Sequence, residues 1–194
     1  MNIYFVRHGK TESNEKGVYY GSLDSSINSI GKDQGKKLNE YLKNVNFTKA
    51  YVSPLKRAKE TLALIEPKCS IVEDERLKER SFGVFEGLTY DEIKSSFPKE
   101  HDIWIKDWEN FKPEDGESFR DFYDRVESFI LDVEKENEDN ILVVTHGGVI
   151  RAVYCHILEG NLDFYWKFAS KNGDVSVIKY EDNYMYIDSI VHID

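Results

Sequence analysis

The sequence predicts a three-layer α/β fold, in which helices cover both faces of a mostly parallel central sheet that carries an antiparallel edge. Three observations predict it. Short apolar runs rich in β-branched or aromatic residues recur at 2–6, 49–52, 70–72, 141–145 and 175–180. Between them stand segments whose apolar residues repeat at helical spacing. The tail from 175 to 193 then reads as a hairpin turning near Asp182-Asn183, which supplies the antiparallel pair.

The elements follow in order. After the opening strand, a helix starting near Ser29 carries Leu38, Leu42 and Val45 on one face. A second runs from Pro54 to about Ile65, with proline suited to a first helical turn. The stretch 117–135 forms a third, with Ser118 as candidate cap and Phe122, Val126, Phe129, Ile130 and Val133 aligned for packing. A fourth begins at 147 and carries Val149, Ile150, Val153, Tyr154 and Ile157. Residues 80–117 break the alternation. They hold Trp104, Trp108, Phe111, Pro98 and Pro113 among mixed charges, and read as an excursion of short helices and loop near the sheet's C-terminal edge, where such insertions shape pockets. No repeat or linker divides the chain, so its 194 residues are expected to form a single domain over 1–194.

Composition bounds the partners. Hydrophobic residues at 40% and charged residues at 32% describe a folded globular chain. A net charge of -10 argues against a nucleic-acid or anionic-membrane surface, because such partners are held by clustered lysine and arginine. An anionic small molecule has to be gathered by a few local cations, which makes each arginine's position informative. Met1 leads directly into an apolar run of strand length with no basic n-region, and the expected location is the cytoplasm. Cys69 and Cys155 lack CxxC spacing and are expected as small packing residues.

In open α/β sheets, ligands bind beyond the C-terminal ends of the strands. The first strand ends in Arg7-His8-Gly9, the second leads through Ser53-Pro54 to Arg57, and the fourth ends in Thr145-His146-Gly147-Gly148. Two arginine forks suit a phosphate dianion, and a glycine pair opening a helix presents N–H groups to the same anion. A neutral imidazole at one strand end can attack phosphorus while a second donates to an equatorial oxygen. Taken singly, a histidine at a strand end is more often a hydrogen-bonded structural residue. Convergence of the four groups favours the phosphate reading.

The segment Val6-Arg7-His8-Gly9-Lys10-Thr11-Glu12-Ser13-Asn14 resembles the signature of the histidine phosphatase superfamily, in its phosphoglycerate-mutase-like branch. Five further blocks follow in the family's order: YGSLDSSINSIG at 20–31, SPLKRAKET at 53–61, LKERSFGVFEG at 77–87, DGES at 115–118 and VVTHGGVIR at 143–151. The resemblance implies that His8 is transiently phosphorylated, that Arg7 and Arg57 clamp the phosphate, that His146 contacts its oxygens, and that Glu79 protonates the leaving oxygen. It also implies a phosphate contact from Asn14, pocket-lining positions for Gly21 and Gly147, and chemistry that needs neither metal nor organic cofactor. Without it, Glu79 reads as a loop carboxylate paired with Lys78 or Arg80, and Glu86 is left as structural. Lys10 stands where the family commonly has an acidic residue, and Ser25-Ser26-Ile27-Asn28 replaces its more usual Pro-Leu-Thr, a change expected to touch only loop and cap geometry. His101, His156 and His192 have no motif around them and are assigned to surface or packing.

The region 97–117 mixes Lys99, Lys106 and Lys112 with Glu100, Asp102, Asp107, Glu109 and Glu114, so it offers no basic cluster for a second acidic group. Monoester hydrolysis is therefore expected over mutase transfer. Length, the DGES segment and the closing hairpin resemble the alpha-ribazole phosphatase group of the family, whose substrate is a benzimidazole riboside phosphate. Trp104, Trp108, Phe111, Tyr19 and Tyr20 are the candidates for an aromatic wall against a flat base, or else core. The alternative is a broad-specificity sugar- or acyl-phosphate phosphatase.

Overall fold

The computed structural model describes residues 1–193. Six strands, β1 (Asn2–Arg7), β2 (Lys49–Val52), β3 (Ser70–Glu73), β4 (Asn140–Thr145), β5 (Val175–Glu181) and β6 (Tyr184–Val191), form one sheet in the order β3-β2-β4-β1-β5-β6. The first four run parallel to one another, β5 pairs antiparallel to β1, and β6 pairs antiparallel to β5. Seven helices accompany them: α1 (Glu12–Lys16), α2 (Ser29–Leu42), α3 (Lys56–Ile65), α4 (Tyr90–Ser96), α5 (Pro98–Lys106), α6 (Phe119–Val133) and α7 (Gly147–Ile157).

The period-2 alternation of the strands divides the core into two layers. Ile3, Phe5, Tyr51, Ile141, Val143 and Ile178 face α6 and α7, against Phe122, Val126, Phe129, Ile130 and Val153. Val6, Ala50, Val52, Leu142, Val144 and Val175 face the other way, onto Leu38, Leu42, Ala58, Leu62 and Ile65 of α2 and α3. The three-layer arrangement and the antiparallel edge are as the sequence predicts. The β5–β6 turn falls at Asp182 and Asn183, both with positive φ, the geometry that a two-residue hairpin with right-handed strand twist requires.

Two helix boundaries differ from the periodicity. Val45 lies beyond the end of α2, packed at the rim of the second core layer. Helix α3 begins at Lys56, two residues after Pro54, and the Lys56 N–H donates outside the helix to Asp24 Oδ1 at 2.8 Å. No helix among the described residues is long and apolar enough to cross a membrane.

The excursion forms α4 and α5 and closes over an aromatic core. Trp104 packs its ring against Tyr19 (5.4 Å between centroids), Phe85 (5.7 Å) and Phe111 (6.3 Å). These rings fill the interior of the excursion, while Trp108 leaves the group and joins Phe119, Tyr165 and Trp166.

Candidate active site

Strands β2, β4 and β1 are neighbours in the sheet and parallel, so the residues after their C-terminal ends meet at one place. Arg7 closes β1, His8 follows it, Ser53 follows β2, and His146 follows β4. His8, Arg57 and His146 are buried, and the His8 and His146 rings lie 5.1 Å apart between centroids.

The hydrogen bonds of His8 fix its chemistry. Its Nδ1 lies 2.8 Å from Gly9 O, an acceptor only, so Nδ1 carries the proton and Nε2 keeps its lone pair. Burial, then the Arg7 and Arg57 guanidinium groups, holds the imidazole far below its ordinary pKa, and it is neutral at pH 7. The Gly9 amide is pinned in turn, donating to Thr61 Oγ1 at 2.9 Å, whose hydroxyl donates to Arg57 O at 2.8 Å.

His146 has the opposite assignment. Arg57 Nε donates to its Nδ1 at 3.2 Å, which leaves the ring proton on Nε2, facing Ser53 Oγ at 2.7 Å. Both ring nitrogens are occupied, so the expected donation from this imidazole to an equatorial oxygen has no proton to use in this arrangement. What His146 does here is orient Arg57. The Arg57 fork is held further by Leu23 O at 2.9 Å and Gly21 O at 2.8 Å, with the Tyr20 ring centroid 4.6 Å from the guanidinium carbon. Gly21 thus contributes a carbonyl to the arginine. A Cβ there would stand 1.6 Å from Arg80 O, so only glycine lets the two loops touch.

Arg7 donates to Ser170 O, while its Nε is buried with no acceptor among the described residues. An unpaired buried donor on a cation is costly unless an anion completes it. Arg7, Arg57, Arg80 and Arg151 form no ion pair among the described residues, whereas Arg76, Arg120 and Arg125 each pair with a carboxylate. In a chain of net charge -10, cations kept from the many available carboxylates mark an anion site.

Glu79 comes to the site along the loop after β3. Gly148 N–H donates to its Oε2 at 2.9 Å and Arg80 N–H to its Oε1 at 3.0 Å, so the carboxylate sits on the N-terminus of α7. A Cβ on Gly148 would lie 2.1 Å from Glu79 Oε1. The pairing of Glu79 with Lys78 or with the Arg80 side chain does not form: Lys78 pairs with Glu75, and Arg80 donates to Glu117 O and Phe111 O. The Gly147 N–H, first in α7, has no acceptor among the described residues.

Asn14 caps its own short helix. Its Oδ1 accepts from Thr11 N–H at 3.1 Å and from Asn172 Nδ2 at 3.2 Å, which leaves its NH2 group as the end available to an oxygen. Asn172 also donates to His8 O at 3.0 Å. The sequence reading assigns no role to Ser53, Thr61 or Asn172: the first two open and close the block at 53–61 without a chemical part in it, and Asn172 lies 164 positions from the carbonyl it holds. Lys10 pairs with Glu15 at 3.4 Å, so the charge it adds is largely spent locally. Asn28 caps α2 through Gly31 N–H, the cap geometry expected of that departure. Glu86 accepts from Ser22, Leu23 and Phe82 amides, a structural clamp. His101 packs on Tyr90, His156 faces Glu127, and His192 faces Asp174.

Beside Gly148 stands a second aromatic group. The Tyr165 hydroxyl would lie 3.0 Å from a Cβ there, and Tyr165 contacts Trp108 and Trp166, the last 64% exposed. Burial pushes the Tyr165 phenol up to about 12. The Arg151 guanidinium carbon lies 4.8 Å from the Tyr165 ring centroid and 5.6 Å from that of Trp166.

Residues 3–192 match the model of the histidine phosphatase superfamily (branch 1). Phosphoserine phosphatase 1 of Hydrogenobacter thermophilus is 31% identical over 185 residues, 94% of this chain and 88% of that protein. The adenosylcobalamin/alpha-ribazole phosphatase of Escherichia coli is 30% identical over 181 residues, 92% and 89% of the two. The crystal structure of the alpha-ribazole phosphatase from Shigella flexneri superimposes with a TM-score of 0.88 at 28% identity, covering 96% of this chain and 94% of that one.

Proposed function

The chain belongs to the histidine phosphatase superfamily and is a phosphomonoester hydrolase, and from that membership we propose that it works through a phosphohistidine on His8 and that its substrate is alpha-ribazole 5'-phosphate. The observation that carries the nucleophile is the His8 Nδ1–Gly9 O hydrogen bond, which leaves a lone pair on Nε2 in a site whose arginines lack acidic partners.

In this mechanism Arg7, Arg57, the Asn14 amide and the Gly147 N–H hold the phosphoryl oxygens. His8 Nε2 attacks phosphorus; the N–P bond forms as the bond to the ester oxygen breaks. Glu79, in its acid form, passes a proton to that oxygen, since an alkoxide leaves poorly unprotonated. Alcohol departs. The Glu79 carboxylate then takes a proton from water, whose oxygen attacks phosphorus and returns the electron pair to His8. His146 serves by keeping the Arg57 fork aimed; donation from Arg57 Nε fixes its tautomer, and Ser53 Oγ accepts the remaining ring proton.

The benzimidazole riboside reading rests on the similarly named relatives and on the Trp108, Tyr165 and Trp166 rings beside Gly148, which suit a flat base. A second reading has its own observation. Arg151 keeps both terminal nitrogens without an acceptor among the described residues, and that fork suits a substrate carboxylate, as in phosphoserine. The test is a panel of alpha-ribazole 5'-phosphate, phosphoserine, sugar phosphates and p-nitrophenyl phosphate, ranked by kcat/KM in wild type and Arg151→Leu without added bisphosphate. Alpha-ribazole 5'-phosphate is expected to lead in both. Phosphoserine leading in wild type, and losing about tenfold or more in Arg151→Leu, would move the assignment to the carboxylate reading; an even ranking would mean broad specificity.

A further inference from the structure

The segment that delivers Glu79 makes one 3-10 turn at Glu75–Leu77 and then leaves regular structure, and four consecutive carbonyls in it are held by side chains from elsewhere. Arg125, on α6, donates through Nη1 to Arg76 O at 2.6 Å and Lys78 O at 2.7 Å, and through Nη2 to Glu79 O at 3.2 Å. Thr145, at the end of β4, donates to the remaining one, Leu77 O, at 2.8 Å. Arg125 is itself aimed by Glu117 of the DGES segment, whose carboxylate takes Nε at 2.7 Å and Nη2 at 2.9 Å, and its guanidinium lies 4.8 Å from the Phe122 ring centroid.

We propose that the Arg125–Glu117 pair is the positioning device for the acid-base residue: it sets the backbone from which Glu79 reaches the N-terminus of α7, and so governs protonation of the leaving alcohol. The inference rests on the reading of Glu79 as that acid. A planar fork suits the task, because one rigid group reaches carbonyls one, three and four positions along a turn, which a lysine point charge cannot do at once. A carboxyl group displaced by even 1 Å from the ester oxygen forfeits much of its contribution.

The pair is not a core element. The Arg125 and Glu117 side chains are 22% and 19% exposed, and with Arg76, Lys78 and Glu79 they line a cleft of about 420 Å³. Removing one partner of this mostly buried, bidentate pair lowers Tm, and the groups released are met by water entering the cleft. Substitution is therefore expected to leave a folded enzyme with a misplaced acid.

The test compares leaving groups. kcat/KM reports the steps up to release of the alcohol, and p-nitrophenolate leaves without a proton whereas a simple alkoxide does not. Arg125→Ala, Arg125→Lys and Glu117→Gln are compared with wild type and Glu79→Gln on p-nitrophenyl phosphate and an alkyl phosphate, with Tm measured for each. In Arg125→Ala the alkyl ester is expected to lose about 30–100-fold and the nitrophenyl ester about threefold or less, within the range that acid-base groups contribute. Arg125→Lys and Glu117→Gln should show the same unequal loss in smaller measure, and Arg125→Lys in a Glu79→Gln background should show no further inequality. Equal loss on both esters in the Arg125 and Glu117 variants, with Glu79→Gln still unequal, overturns the positioning role and leaves the acid assignment standing. Equal loss in Glu79→Gln itself overturns both. Arg125→Lys and Glu117→Gln decide the matter if Arg125→Ala does not fold.

Discussion

At the scale of single residues, two buried imidazoles stand at the ends of adjacent strands with opposite hydrogen-bond duties. His8 donates from Nδ1 to a carbonyl and keeps Nε2 for chemistry; His146 accepts at Nδ1 from Arg57 and spends its Nε2 proton on Ser53. Burial first, and neighbouring arginines second, hold both far below the ordinary imidazole pKa. The sign of the stability effect follows. The unfolded chain binds protons on these rings below about pH 6.5, where the native protein does not, so this contribution is full above that pH and is lost as pH falls, with a slope of about 1.4 kcal/mol per pH unit per ring. Tm in phosphate-free buffer is therefore expected to drop more steeply between pH 7 and 5 in wild type than in His8→Ala; parallel curves would contradict neutral burial of His8. His8, His146, Arg7, Arg57 and Glu79 were legible as site candidates because each lies in a recognisable block after a strand or in its loop. The roles of Thr61, Ser53 and Asn172 were not, because a hydroxyl or amide that holds a backbone group or a ring nitrogen shows its partner only when the fold brings the two together.

Helix α7 is the element on which the site is assembled. Its first turn presents the Gly147 and Gly148 amides, takes the Glu79 carboxylate on the second of them, and approaches Arg7 closely enough that a Cβ on Gly147 would lie 3.2 Å from the guanidinium. Gly148→Ala would drive a methyl group to 2.1 Å from Glu79 Oε1, and the carboxylate has to move. The variant is expected to lose about 100-fold in kcat/KM on an alkyl phosphate, comparable to losing an acid-base group, while retaining a wild-type far-UV spectrum. Near-normal turnover would show that Glu79 acts from more than one position. Periodicity reports helix interiors better than helix ends, as α3 illustrates: Pro54 marks a permitted start, but the helix starts at Lys56, whose N–H is met by Asp24, 32 positions earlier. The aromatic residues of 97–117 divided for a similar reason. Composition cannot separate Trp104, which closes a local core with Phe85, from Trp108, which reaches Tyr165 across the fold.

For the whole molecule, the parallel order β2-β4-β1 brings three strand ends together, and the net charge of -10 makes the arginines there, without an acidic partner among the described residues, stand out against an acidic surround. Alternation of strands and helices disclosed the layers and the antiparallel edge, since each strand alternates its side chains between two helical layers. The central claim is that the phosphoryl group rests on this chain between two half-reactions. Rapid quench of wild type with a radiolabelled monoester measures that most directly. The account predicts acid-labile, base-stable label, stoichiometric with active sites at early times, mapped to His8 and absent from His8→Ala. Turnover with no protein-bound label at any quench time, or label retained by His8→Ala with ordinary activity, would contradict it.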